Sequence, residues 1–148
     1  MNVLLNGCSF MDNYYYSRHF DQLLDAKTVN IAKPGSCNRR IIRTTIDYID
    51  KNPVDLIVMG LTFYDRQESP FKTNKLDPWV SYNAQGMQAV FSNPEDFSST
   101  TEHKLVGDYI LSRYRYDINE HYLDALYLDL KLFAGYLNNK GIKFCIFN

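Results

Sequence analysis

The sequence predicts an α/β fold built on a parallel sheet. Three observations carry that expectation: short apolar runs that each end in turn residues, amphipathic helical stretches between them, and the alternation of the two along the chain. Val3-Leu4-Leu5 is closed by Asn6-Gly7, and Thr28-Val29-Asn30-Ile31-Ala32 by Pro34-Gly35. A third run, Val54 to Met59, is closed by Gly60. Between the first two, Tyr16, His19, Phe20, Leu23 and Leu24 recur at helical spacing; between the second and third, Ile41, Ile42, Thr45, Ile46 and Ile49 do the same. Asn38 suits the amino-terminal cap of this second helix, and Pro53 stops its continuation. In the last helix Asp117 and Glu120 have capping-box spacing, and Leu123, Leu126, Tyr127, Leu130, Phe133, Ala134 and Leu137 are expected on one face. Gly141 suits the carboxyl cap, and Ile142 to Phe147 reads as a fourth strand.

Right-handed crossovers then give a three-layer α/β/α arrangement, with the sheet covered on both faces. The expected strand order is 2-1-3-4, the flavodoxin-like order with the first strand between the second and third. In that topology the loops beginning at Gly7, Lys33 and Gly60 meet at the carboxyl edge of the sheet, where ligands of open α/β sheets bind. Residues 64–118 interrupt the pattern. They hold Pro70, Pro78 and Pro94, little periodicity, and many rings, among them Tyr64, Phe71, Trp79, Tyr82, Phe91, Phe97, Tyr109, Tyr114 and Tyr116. So long a connection, rich in rings, reads as a folded insert or lid, serving either as a substrate platform or as a satellite core or oligomer contact.

The 148 residues suit one domain, 1–148, which can bury roughly 70% of its unfolded surface. Charge is nearly balanced, 16 basic against 17 acidic residues, so no global field points to nucleic acid or to an anionic membrane. Cys8, Cys37 and Cys145 are an odd, sparse set with neither disulfide-framework nor zinc spacing, and no metal or other cofactor is expected. A reducing, cytoplasmic location follows, or a virion if the chain is phage-encoded. No apolar run approaches the ~18 residues of a membrane span.

Ser9 follows a strand and a glycine at a turn leading towards a helix, where backbone N–H groups can meet an oxyanion. Three segments together resemble the SGNH (GDSL-like) hydrolases. Gly7-Cys8-Ser9-Phe10 is similar to the first block, in which a Gly-Asp-Ser stretch supplies the nucleophile. Asn30-Ile31-Ala32-Lys33-Pro34-Gly35-Ser36-Cys37-Asn38 resembles the second, Asn-x-Ala-x-x-Gly, whose glycine amide lines the oxyanion hole. Val58-Met59-Gly60-Leu61-Thr62-Phe63 stands where the Gly-x-Asn-Asp block belongs, with Thr62 at the asparagine position. The resemblance implies a serine hydrolase acting on an ester or an acetylated carbohydrate through an acyl-enzyme. In this chain Ser9 would be the nucleophile, and Gly35, the Ser9 amide and either Asn38 or Thr62 would hold the oxyanion.

Cys8, Phe10, Tyr64, Arg66 and Glu68 are the candidate substrate contacts at the rim. The family's Asp-x-x-His block is absent, which leaves His19, His103 and His121 as candidate bases. The rival reading is a non-catalytic binding or assembly module, such as a virion or cell-surface component. Arg39, Arg40 and Arg43 open the second helix and call for anions; pairing with Asp65 or Glu68 is preferred to an anionic substrate. The apolar fourth strand, as an open edge, invites a further strand, a second copy or another partner.

Overall fold

The computed structural model describes residues 1–64, 66–70, 79–82, 108 and 119–148. Strand β1 (Asn2–Asn6) leads to helix α1 (Tyr14–Leu24), β2 (Lys27–Asn30), α2 (Asn38–Ile49) and β3 (Leu56–Gly60). A short antiparallel pair follows, β4 (Gln67–Pro70) and β5 (Trp79–Tyr82), and then α3 (Asn119–Asn139) and β6 (Lys143–Phe147). The main sheet is four-stranded and parallel throughout, in the order β2-β1-β3-β6. The predicted fourth strand is β6, beside β3. Within 64–118, the β4–β5 pair is the part the structure describes as sheet; Phe71, Phe91, Phe97, Tyr109, Tyr114, Tyr116 and Asp117 lie outside the described residues.

The two-residue alternation of the strands sorts the core into two layers. On one face Leu4, Ile57 and Met59 pack with Ile41, Ile42 and Ile49 of α2 and Phe133 and Leu137 of α3. On the other, Val3, Leu5 and Val58 pack with Met11, and Phe20 of α1 lies against them. Helices therefore sit on both faces of the sheet. The α1 side is the thinner layer. On β6, Phe144 and Ile146 pack against the α2/α3 layer, whereas Lys143, Cys145 and Phe147 face the other way and are exposed.

Local chemistry explains most boundaries and corrects three expectations. Cys37, not Asn38, caps α2: its Sγ accepts from the Arg40 amide at 3.3 Å, because the Asn38 side chain is drawn to another loop. On α1, Phe20 packs on the sheet as its spacing implies, whereas Tyr16, His19, Leu23 and Leu24 are exposed, Leu23 at 81%. In α3, Leu123 and Tyr127 are exposed, while Tyr122, Phe133 and Leu137 form the buried stripe. That helix carries apolar residues on nearly every side, so periodicity alone could not orient its first turns. Its end is as expected: Gly141, at φ +70°, completes a Schellman motif, with the Ile142 amide donating to Leu137 O at 3.1 Å and the Gly141 amide to Asn138 O at 3.0 Å.

Candidate functional site

The carboxyl ends of β1, β2 and β3 carry three loops, and three asparagines bind them together. Asn6 ends β1 on the face turned to α2. Its Nδ2 donates to Ile41 O (2.9 Å), Thr45 Oγ1 (2.8 Å) and Thr44 Oγ1 (3.0 Å), and its Oδ1 accepts from the Gly7 amide (2.8 Å). Asn30 ends β2, donating to Met11 O at 2.8 Å and accepting from the Ala32 amide at 3.0 Å. Asn38 opens α2 and pairs with the backbone of Thr62: Nδ2 donates to Thr62 O at 3.0 Å, and Oδ1 accepts from the Thr62 amide at 2.8 Å. The Lys33 amide also donates to Gly7 O at 3.2 Å, so the first and second loops share backbone as well.

Ser9 is exposed at the tip of a turn in which the Met11 and Asp12 amides both donate to Cys8 O, at 2.9 and 3.1 Å. The turn is separate from α1, which begins only at Tyr14. Ser9 therefore lies outside the first turn of the helix, where a macrodipole acts. The reason is packing. Met11 is buried against Gly7 and Gly60, so closely that a Cβ on Gly7 would lie 2.5 Å from Met11 Cγ and 2.9 Å from Gly60 O. The chain must complete its turn over these glycines before a helix can start.

Gly35 holds φ +78° in the turn closed by the Ser36 amide on Lys33 O, a conformation that favours glycine, with open space where a Cβ would stand. Among the described residues the amides of Ser9 and Gly35 donate to no protein acceptor. An oxyanion needs such uncommitted donors. Asn38 cannot readily serve as one, because both ends of its buried side chain are engaged by Thr62. Thr62 is buried beside it.

The other candidates divide between surface and framework. Phe10 is 78% exposed next to Ser9, and Phe63, which the sequence did not single out, is 65% exposed next to Thr62. Tyr64 is exposed at the same rim, and Cys8 is buried beneath it. Arg66 donates through Nη1 to Ser36 O at 3.3 Å, tying the third loop to the second. Glu68 is spent on Arg43, with which it forms two bonds of 3.3 and 3.1 Å, and its side chain is only 3% exposed. Arg39 pairs with Asp129 of α3 at 2.9 Å. Arg39 and Arg43 thus have carboxylate partners among the described residues, Arg40 donates to Ser36 Oγ at 3.1 Å, and Asp65 lies outside the described residues. Cys8 and Cys37 are buried free thiols; Cys145 is a free, exposed one.

His19 and His121 are exposed on α1 and α3, and His103 lies outside the described residues. Among the described residues no hydrogen bond joins Ser9 to an imidazole, and no cluster of His, Cys, Asp and Glu could hold a metal. No described helix is long and apolar enough to cross a membrane. A groove of 570 Å³ runs between α2 and α3 over Ile42, Ile46, Leu132, Phe133 and Tyr136. It does not include Ser9 or Gly35, and its charged groups are the paired ions Arg39, Arg43, Glu68 and Asp129 together with Asp47. The chemistry therefore points to the loop edge rather than to the groove. No protein-family model, no curated protein and no solved structure matches the chain.

Proposed function

We propose that the chain is a flavodoxin-like α/β domain of SGNH type and a serine hydrolase of esters or acetylated carbohydrates. The observation that carries this reading is the exposed Ser9 on a turn fixed to the neighbouring loops, with the uncommitted amides of Ser9 and Gly35 in the same loop cluster. In the reaction, Ser9 Oγ attacks the ester carbonyl and its proton passes to a base. The two amides, with the Thr62 hydroxyl as a third donor, take the charge on the oxygen of the tetrahedral intermediate; its collapse expels the alcohol, which takes the proton back from the base, and leaves an acyl-serine that water then cleaves to the free acid. Asn38 serves by holding Thr62 in place. Phe10, Phe63 and Tyr64 offer rings to the leaving group at the rim.

The test is labelling by a biotinylated fluorophosphonate followed by peptide mapping, with p-nitrophenyl acetate and an acetylated oligosaccharide as substrates. Ser9 is the expected adduct, and Ser9→Ala is expected to abolish it. Alanine variants of His19, His103 and His121 identify the base, whose loss should slow labelling. If Ser9 is never labelled and Ser9→Ala leaves hydrolysis intact, the reading fails.

A second reading, a non-catalytic binding or assembly module, draws on a specific observation. Leu123, Tyr127, Leu128 and Leu132 are all exposed on α3, an apolar surface that a partner could cover. The edge at β6, open among the described residues, could likewise take a further strand or a second copy. An unlabelled Ser9 together with concentration-dependent association in sedimentation velocity would favour that reading.

A further inference from the structure

The buried asparagine at the end of β1 is where the strand pattern calls for an apolar side chain. Asn6 pairs with Met59 in the sheet and points, like Leu4, to the layer filled by α2. It is wholly buried. A primary amide in that position is costly unless its hydrogen bonds are made. Here they are made in one direction only. Thr45 Oγ1 spends its proton on Ile41 O at 2.8 Å, and Thr44 Oγ1 spends its own on Arg40 O at 2.8 Å. Both hydroxyls can therefore only accept from Asn6, which fixes Nδ2 towards α2 and leaves Oδ1 for the Gly7 amide.

That assignment has a consequence for the turn. The N–H of Gly7 is held by Asn6, and its C=O accepts from the Lys33 amide. The Gly7 residue is thus gripped on both sides, and Ser9 is projected two residues beyond it. We propose that Asn6 is a positioning residue for Ser9: it locks the Gly7 peptide to the first turns of α2 and so sets where the hydroxyl stands relative to the Gly35 amide. This rests on the hydrolase reading above. No other residue type fits the whole network: leucine has no polar group, aspartate keeps the acceptor but loses the donors, and glutamine is longer by a methylene.

Misplacing a reacting atom by an ångström can cost about a hundredfold in rate. The folded Asn6→Ala variant is therefore expected to be phosphonylated at Ser9 about 10- to 100-fold more slowly, with kcat falling and KM little changed. Asn6→Asp, which retains the acceptor for Gly7, should recover part of the rate. Thr45→Val, which removes a helix partner of Asn6 but leaves the Gly7 bond, should lower the unfolding midpoint yet stay within about threefold of the wild-type rate. If Asn6→Ala does not fold, the contrast between Asn6→Asp and Thr45→Val decides. Equal slowing in those two means general loosening and overturns the inference. Wild-type rates in folded Asn6→Ala and Asn6→Asp also overturn it, while leaving the hydrolase reading intact. If wild-type Ser9 is itself inert, the hydrolase reading falls first and this inference with it.

Discussion

Replacing Asn38 by alanine is expected to be among the most damaging single changes in the loop cluster, and its size follows from what the side chain touches. The amide engages both backbone polar groups of Thr62, its N–H and its C=O, at 2.8 and 3.0 Å, and both residues are buried. Truncation strands a backbone N–H and a backbone C=O, each costing about 1–3 kcal/mol when left buried without a partner. The vacated space could admit one water and recover part of the loss, which gives a net destabilisation of about 2–4 kcal/mol. With a urea slope of roughly 2 kcal/mol/M for a domain of this size, the unfolding midpoint should fall by about 1–2 M. Equilibrium urea unfolding followed by tyrosine fluorescence measures it. Asn38→Asp keeps the acceptor but loses the donor and buries a charge, so it should be similarly unstable at neutral pH and recover partly in acid, where the carboxyl regains a proton to donate. A midpoint shift for Asn38→Ala below about 0.3 M at unchanged slope would refute the account of Asn38 as a buried bridge.

Gly7→Ala places a Cβ against Met11 and the carbonyl of Gly60 and should cost about 1–3 kcal/mol, lowering Tm in calorimetry by about 3–10 °C. Adding Met11→Ala should restore only part, since the backbone contact at 2.9 Å remains. Glu68→Gln should destabilise by about 1–3 kcal/mol in thermal unfolding, less than for a fully buried pair because Arg43 keeps 30% of its side chain exposed. At the far end of α2, the bonds of Lys140 and Tyr136 to the Asp50 carboxylate hold its pKa below the ordinary 3.8. Their contribution to stability is therefore present above that value and lost as pH falls through the lowered one, so the gap between wild type and Asp50→Asn in urea should close in acid. The same contacts raise the pKa of Lys140, so that side's contribution is lost only as pH climbs past its raised value in strong alkali. Under native conditions a thiol reagent should modify Cys145 alone, with Cys8 and Cys37 reacting only on unfolding, as read by mass spectrometry.

What could be read in the sequence was local. The strands β1, β2, β3 and β6 announce themselves as apolar runs closed by glycine, asparagine or proline, and the stripe of Ile41, Ile42, Thr45 and Ile49 is narrow enough to orient α2. The turns that hold Ser9 and Gly35 were legible for the same reason, as glycine-containing loops that follow β1 and β2. Orientation failed where apolar residues surround a helix, as at Leu123 and Tyr127, and on α1, where Tyr16, Leu23 and Leu24 share the spacing of Phe20 but stay exposed. The bridges made by Asn6 and by Asn38, the latter expected as a cap and an oxyanion donor, were hidden for a different reason. Their partners lie 39 and 24 residues away, and an asparagine at a strand end or a helix start already has an ordinary local explanation as turn or cap. The clue available was position: alternation along β1 puts residue 6 on the inward face, where a polar side chain demands a partner. A base for the proposed reaction is not legible in the sequence, because an imidazole that would serve Ser9 needs no fixed sequence spacing to it.

The order β2-β1-β3-β6 also prescribes a sequence of assembly. β1 meets β2 and β3 across two short helical crossovers, so residues 1–60 hold three adjacent strands with every connection local. β6 joins beside β3 only after residues 61–142, in register from Leu56↔Lys143 to Gly60↔Phe147. Early contacts of small sequence separation cost little loop entropy, and the distant strand must wait for them. Closing that long connection costs only about 0.6 kcal/mol more for each doubling of its length. The stretch between β3 and α3 is therefore the place where evolution or an engineer can lengthen the chain with least penalty to folding, and a ribosome would release a nearly finished three-stranded nucleus well before β6 emerged.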